Sequence, residues 1–346
     1  MANRTDAYIR RVTIAAAIGA AAVLLTLALW AASQMLLVVF GGILIAVLLR
    51  SLADLVTGYT RLPATAAVWL VLLVLLSVLG GGGWYLWADI SSQFGELGQS
   101  LTALWDRLRG FLEQQPWGQQ LLTVLGDPQS AGGKPGALAN AFGAAVAALS
   151  GIVISLFIGV YIAVDPTLYR HGVLRLVPRV HRDRAKEIIE ELHDTLQRWL
   201  LGTLVLMIIV GTMITVGLTL IGIPMALALG FIAFMLEFVP YVGPIVAAIP
   251  AVLVAASVGP REVLFVVLLY WAVQSIEGYV LSPLVYQRSI EIPPMLTISA
   301  QIVLGTLLGM MGVIFATPLT ASAMVLVQRL YVESALGDRL DRPVRD

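Results

Sequence analysis

Residues 223–256 read IPMALALGFIAFMLEFVPYVGPIVAAIPAVLVAA, and this stretch decides the fold. It is apolar almost throughout, yet Pro240, Gly243, Pro244 and Pro250 interrupt it, and a carboxylate, Glu237, sits inside it. The arms on either side of Pro240–Pro244 are roughly 15 residues long, whereas a helix needs about 20 residues to cross a bilayer. They read as a helical hairpin that enters and leaves the membrane on one side. Non-helical backbone at membrane depth must be covered by protein or line a wet cavity, because each unpaired amide in lipid costs several kcal/mol.

The pattern returns downstream. Pro224-Met225, Gly243 and Pro250 are matched by Pro294-Met295, Gly312 and Pro318. GPIVAAIP at 243–250 resembles GVIFATP at 312–318, and a long apolar segment precedes each hairpin, Leu200–Leu220 and Val263–Pro283. One crossing plus one re-entrant hairpin per unit would set the two copies upside down to each other, the plan of secondary transporters with midplane sites. The other reading of the likeness is two unrelated Gly/Pro-kinked helices, since both residues are common in membrane spans.

Composition gives the class. The chain has 346 residues, 59% hydrophobic and 12% charged, where soluble domains carry about a quarter charged residues. The expected fold is an all-α polytopic membrane protein with about six full transmembrane helices and two inverted re-entrant hairpins. A net charge of zero offers no footprint for nucleic acid. The absence of cysteine removes disulfides and thiolate chemistry. His171, His181 and His193 fall in one arginine-rich segment with no familiar metal spacing, so neither a metal site nor a cofactor is expected. No Walker loop, HExxH motif or GxSxG elbow is present, and the chain is not expected to be an enzyme.

In chain order, residues 1–88 hold three membrane helices, with Thr13–Trp30 and Met35–Leu49 expected as an antiparallel pair across Ala31–Gln34 and a third at Thr65–Trp87. Residues 89–140 are polar, with Phe94, Leu97, Leu101, Leu104, Trp105, Leu108 and Phe111 at helical spacing, either a cap, a subunit contact or a surface helix. Residues 141–164 are a fourth membrane helix. Residues 165–199 form a cytoplasmic amphipathic linker. Residues 200–330 are the transport core with its repeats at 200–256 and 263–328, and 331–346 is a cytoplasmic tail. With the N-terminus inside, 17 of the 21 Lys/Arg fall on inner segments, the positive-inside pattern.

Ionisable groups inside a membrane are costly and mark function by default. Glu237 precedes the first break. Gln274 and Glu277 share a helix face with Tyr270, and Gln274 lies roughly 16 Å into its helix, near the midplane. Gln301 sits in the second hairpin, and Tyr241 and Tyr279 flank the polar positions. If the hairpins pack together, Glu237 and Glu277 can exchange a proton or hold a cation while Gln274, Gln301, Tyr241 and Tyr279 hydrogen-bond a polar solute. The structural alternatives are an interfacial carboxylate at Glu237, a snorkelled Glu277, and packing amides at Gln274 and Gln301.

GFIAFMLEFVPYVGPIVAAIPAVLVA, QSIEGYVLSPLV and GMMGVIFATPL together resemble the autoinducer-2 exporter family of bacterial permeases, and ILIAVLLRSLADLVTGYTRLPATAAVWLVLLV is similar to its second and third helices. The resemblance spans about residues 35–330 and rests on Glu237, Pro240, Tyr241, Gly243, Pro244, Glu277, Pro283, Gly312 and Pro318. It implies multi-pass permeases of the bacterial inner membrane, some exporting the quorum-sensing furanone and some linked to sodium–proton exchange. The chain departs from the family pattern after Pro283, where Tyr286-Gln287-Arg288 and Pro293-Pro294 stand. The expected function is gradient-coupled export of a small polar solute, coupled to Na+ or H+, with the lipid bilayer, the solute and a homo-oligomer (a pentamer is the guess) as partners. The alternatives are a passive channel or sodium/proton antiporter formed by an oligomer, and a membrane scaffold.

Overall fold

A computed structural model describes residues 2–81, 84, 137–286 and 292–337. All regular structure among them is helical: α1 (Ala2–Tyr59), α2 (Ala64–Gly81), α3 (Ala137–Val164), α4 (Pro166–Leu176), α5 (Arg182–Ile221), α6 (Ala226–Leu236), α7 (Val242–Val258), α8 (Pro260–Ile276), α9 (Pro294–Leu308) and α10 (Met310–Leu326). α8 runs on through a π-helical turn, Glu277–Leu281, to Tyr286, and α10 continues as a π-helix, Val327–Leu336. Among the described residues five helices are long and apolar enough to cross a membrane, or six if α3 and α4 count as one bent span. The amphipathic pattern expected at 89–140 lies outside the described residues.

Two expectations are corrected. The antiparallel pair at Thr13–Trp30 and Met35–Leu49 is instead one continuous 58-residue helix, α1. Its supposed link, Ala31-Ala32-Ser33-Gln34, contains neither Gly nor Pro, and alanine and glutamine are good helix formers. Pro250 and Pro318 are not breaks either. Each lies inside a helix, α7 and α10 respectively. An interior proline forgoes one backbone bond, which membrane helices tolerate when neighbours re-satisfy the freed group. Pro294 opens α9 at its first position, where a missing N–H is harmless.

The real breaks lie at 237–241 and at Gly309. α5 ends first, at Gly222, which takes the left-handed conformation while the Ile223 amide donates to the Leu218 carbonyl at 2.9 Å. α6 and α7 then form the first bent pair. α9 and α10 form the second, turning at Gly309 with φ 68°.

α7 and α10 resemble each other in length and proline position. α7 and α10 are both 17 residues long, both carry a proline at their ninth position, and both their ends are offset by 68 residues. Each begins with a glycine pressed on the preceding arm. A Cβ on Gly243 would sit 1.8 Å from the Leu236 carbonyl oxygen, and one on Gly312 would sit 2.0 Å from that of Leu304. Any side chain at either place would push the two arms apart.

Three apolar cores hold the helices. Val210, Ile214, Leu229, Ala251 and Val266 belong to one that joins α5, α6, α7 and α8. Leu49, Ala67, Val68 and Ala163 join α1, α2 and α3. The third joins α1 and α5 through Leu44, Trp199 and Leu200, with Phe238, Tyr286 and Phe315 packed on it. It is where the first break, the end of α8 and α10 come together, and Trp199 meets Phe238 edge-on at 5.5 Å.

Beyond the apolar part of α5, its polar N-terminal turns are clipped to the end of α10. Arg184 binds Glu333 at 2.6 Å, and Arg329 bridges Glu333 at 2.6 Å and Glu191. Linked pairs of this kind hold geometry better than an isolated surface pair.

Candidate functional site

The site is built at the first break. Glu237 caps α6, its amide donating to the Ala233 carbonyl at 2.9 Å, and its side chain is only 6% exposed. The chain then turns through local hydrogen bonds: Val239 donates to Leu236 at 3.0 Å and Gly243 to Val239 at 2.9 Å. Between them Tyr241 holds φ 65° and ψ −51° while the Val242 amide donates to the Pro240 carbonyl at 2.8 Å. That is a γ-turn with positive φ, a rare and strained form for a residue with a side chain.

α8 brings the second carboxylate. The carboxyl groups of Glu237 and Glu277 lie within hydrogen-bonding reach of each other. Glu277 opens the π-helical turn, a local widening that recurs at functional sites. Gln274 Nε2 donates to one of its oxygens at 2.5 Å, and Ser282 Oγ donates to the other at 3.4 Å. The Tyr286 hydroxyl pairs with Thr203 Oγ1 at 2.9 Å on the same side of α8 and feels both carboxylates. Tyr241 also lies within electrostatic reach of Glu277.

α9 closes the site. Gln301, 4% exposed on α9, donates through Nε2 to the Pro240 carbonyl at 2.8 Å. That carbonyl therefore accepts from both the γ-turn and α9.

Glu237, Tyr241, Gln274, Glu277 and Gln301 are thus brought together. Tyr270 is not: it is buried in the apolar core and donates to the Ala247 carbonyl at 3.2 Å. Tyr279 is 86% exposed, which leaves it outside the buried polar cluster. Ser282, Tyr286 and Thr203 are members that sequence reasoning missed. Ser282 follows Glu277 by five residues, a spacing that points away on an α-helix and returns to the same face only where a π-turn adds a residue.

Two carboxylates this close cannot both stay charged and bare. Like charges about 4 Å apart repel by about 4 kcal/mol at an effective dielectric of about 20. A proton shared between them, or a small cation held by both, removes the conflict. Gln274 and Ser282 orient Glu277. No cluster of three or more His, Cys, Asp or Glu suited to a metal occurs among the described residues.

Comparison with known proteins places this geometry. The profile of the AI-2E family of transporters matches residues 20–331. "Putative transport protein YrrI" of Bacillus subtilis (strain 168) is 32% identical over 171 residues, 49% of this chain and 48% of the relative. "Putative transport protein YueF" of the same organism is 33% identical over 165 residues, 48% and 45% of the two chains. The AI-2 transport protein TqsA of Escherichia coli (strain K12) is 26% identical over 142 residues, 41% of each chain. The matched region is about half the length of the first two of these relatives.

Proposed function

The chain belongs to the AI-2E family of transporters, and from that premise we propose that it is a secondary permease exporting a small polar solute of the autoinducer-2 kind on a proton or sodium gradient. One observation carries the reading: a buried carboxyl group at the first break, Glu237, meets the half-buried Glu277 of the π-turn after α8, and the same break is tied through the Pro240 carbonyl to Gln301 of α9. A proton or Na+ at the pair changes its charge, and the helices that hold it include both units of the repeat. Loading and unloading the pair is then coupled to how the two bent pairs sit against each other. The small polyol-like solute would take its hydrogen bonds from Gln274, Tyr241 and the carbonyls at the break. The positive-inside charge pattern supports a bacterial inner-membrane protein with both termini in the cytoplasm.

The test is solute flux in proteoliposomes with imposed pH and sodium gradients. Export that rises with one gradient and is lost in Glu277→Gln supports the reading. Flux that ignores both gradients, or ion current without saturation, favours a passive channel instead. Sodium–proton exchange with no solute movement favours the antiporter.

A further inference from the structure

α4 leaves α3 at 94°, across a break at Asp165. The Asp165 carboxylate accepts from Thr167 Oγ1 at 2.7 Å and from the Leu168 amide at 3.2 Å, and Pro166 fills the first helical position. These hydrogen bonds hold the Asp165 carboxyl below its usual range, so the cap is charged at neutral pH. The corner is therefore built, and a helix at a right angle to a membrane-spanning helix lies along the membrane surface.

α4 has two unlike sides. Leu174 turns inward and, with Ile189 of α5, lines a cleft of about 240 Å³ whose polar rim includes Arg170, His171, Lys186 and Glu190. The other side carries Leu168, Tyr169, Val173 and Leu176, all exposed, Leu176 at 86%, and Val180 just beyond the helix at 88%. Tyr169, Val173, Leu176 and Val180 follow i, i+4 and i, i+3 spacing, with Leu168 beside them at the start of the helix. Residues 166–182 contain four arginines and no acidic residue. Arg182 is engaged on the Val177 carbonyl at 3.1 Å, while Arg170, Arg175 and Arg179 make no ion pair among the described residues. The one acid on the cleft rim, Glu190, lies 4.0 Å from Lys186, which offsets it.

We infer that α4 is an interfacial helix that selects anionic phospholipid, its apolar face in the acyl boundary and Arg170, Arg175 and Arg179 on the headgroup phosphates. Two features point to lipid rather than to a protein. The helix continues directly from a membrane span, and along its length after the Asp165 cap its apolar face is bordered by Arg170, Arg175 and Arg179 and by no acid, the pattern of amphipathic helices that lie in a bilayer surface. A basic residue near an anionic leaflet contributes about fivefold in local association. This site is separate from the carboxyl pair, and its fate does not depend on what the protein transports.

The 346-residue sequence has no cysteine, so Leu176→Cys in this chain takes a single bimane label. The labelled protein is reconstituted into phosphatidylcholine bilayers containing a fixed fraction of brominated phosphatidylglycerol or brominated phosphatidylcholine. The inference predicts several-fold stronger quenching by the brominated anionic lipid, a preference lost in Arg170→Gln/Arg175→Gln/Arg179→Gln and weakened by salt. A label at Leu307→Cys, on the exposed face of α9, should be quenched equally by both lipids in both backgrounds, which shows that the variant is still inserted and folded. Equal quenching at position 176 would overturn the inference. So would a label dry but unquenched, which means that a protein surface covers the face, or a label open to water.

Discussion

Gln301 Nε2 donates to the Pro240 carbonyl at 2.8 Å, a bond between a side chain of the second repeat and the backbone of the break in the first. It is the most direct tie between the two bent pairs. Gln301→Leu leaves the carbonyl with only its γ-turn partner in a buried place. It should lower the thermal stability of the purified protein by about 1–3 kcal/mol, the range for a buried group left under-satisfied. Solute flux should fall with it, whereas Leu307→Ala on the outer face of the same helix should leave flux unchanged.

Glu237→Gln and Glu277→Gln should each abolish the response of flux to a pH or sodium jump. Because the two groups act as one unit, the double variant should lose little beyond either single one, a non-additive pattern read from gradient-driven transport rates. Additive losses would mean that the carboxyl groups serve separate steps.

Tyr241→Gly should relieve the positive-φ turn and raise stability by about 1–3 kcal/mol, the usual cost of such a conformation. Transport should nevertheless drop, because the ring beside Glu277 is gone. Tyr241→Phe keeps the ring and the strain, so comparing the two by unfolding and by flux separates backbone from side chain.

Gly243→Ala and Gly312→Ala should both destabilise by about 1–3 kcal/mol or more, since the added methyl meets a backbone carbonyl that cannot swing aside. Gly58→Ala, with open space around it near the end of α1, should be neutral or stabilise by up to about 1 kcal/mol. Yield and unfolding midpoint in detergent report both.

The clip between α5 and α10 can be tested with a cysteine pair. Glu191→Cys with Arg329→Cys should be joined in membranes by a short bis-methanethiosulfonate linker that spans the length of the replaced side chains, because the natural side chains meet as an ion pair. If the clip opens during transport, the cross-link should stop flux and a reductant should restore it. A cross-linked protein that still transports at full rate would make the clip static.

The class and the polar residues were legible because both follow from local rules. Apolar length gives spans, and Glu237, Glu277 and Gln301 stand out as costly groups in apolar surroundings. The likeness of the two stretches was readable from Gly243/Gly312 and Pro250/Pro318, 69 and 68 residues apart, and α7 and α10 have equal length with a proline at the same position. The position of the breaks was not legible from proline alone. Pro250 and Pro318 are absorbed into helices, while Gly309, one glycine among many, makes the second turn. The long α1 was missed because a short polar interruption such as Ser33-Gln34 looks like a loop when spans are counted by hydropathy. Tyr270 was misassigned because a shared helical face does not say which neighbour fills it. Ser282 was invisible because the π-turn changes the residue period just where the site is built.

The opposed entry of the two bent pairs is tested most directly by sided labelling of single cysteines in intact cells and inverted vesicles. The positions are Pro224→Cys and Val258→Cys at the ends of the first pair, and Pro293→Cys and Leu330→Cys at the ends of the second. If each pair is a re-entrant hairpin and the repeats are inverted, 224 and 258 label from one face of the membrane and 293 and 330 from the other. Labelling of the two ends of either pair from opposite faces would contradict it, since the break would then run straight through the bilayer.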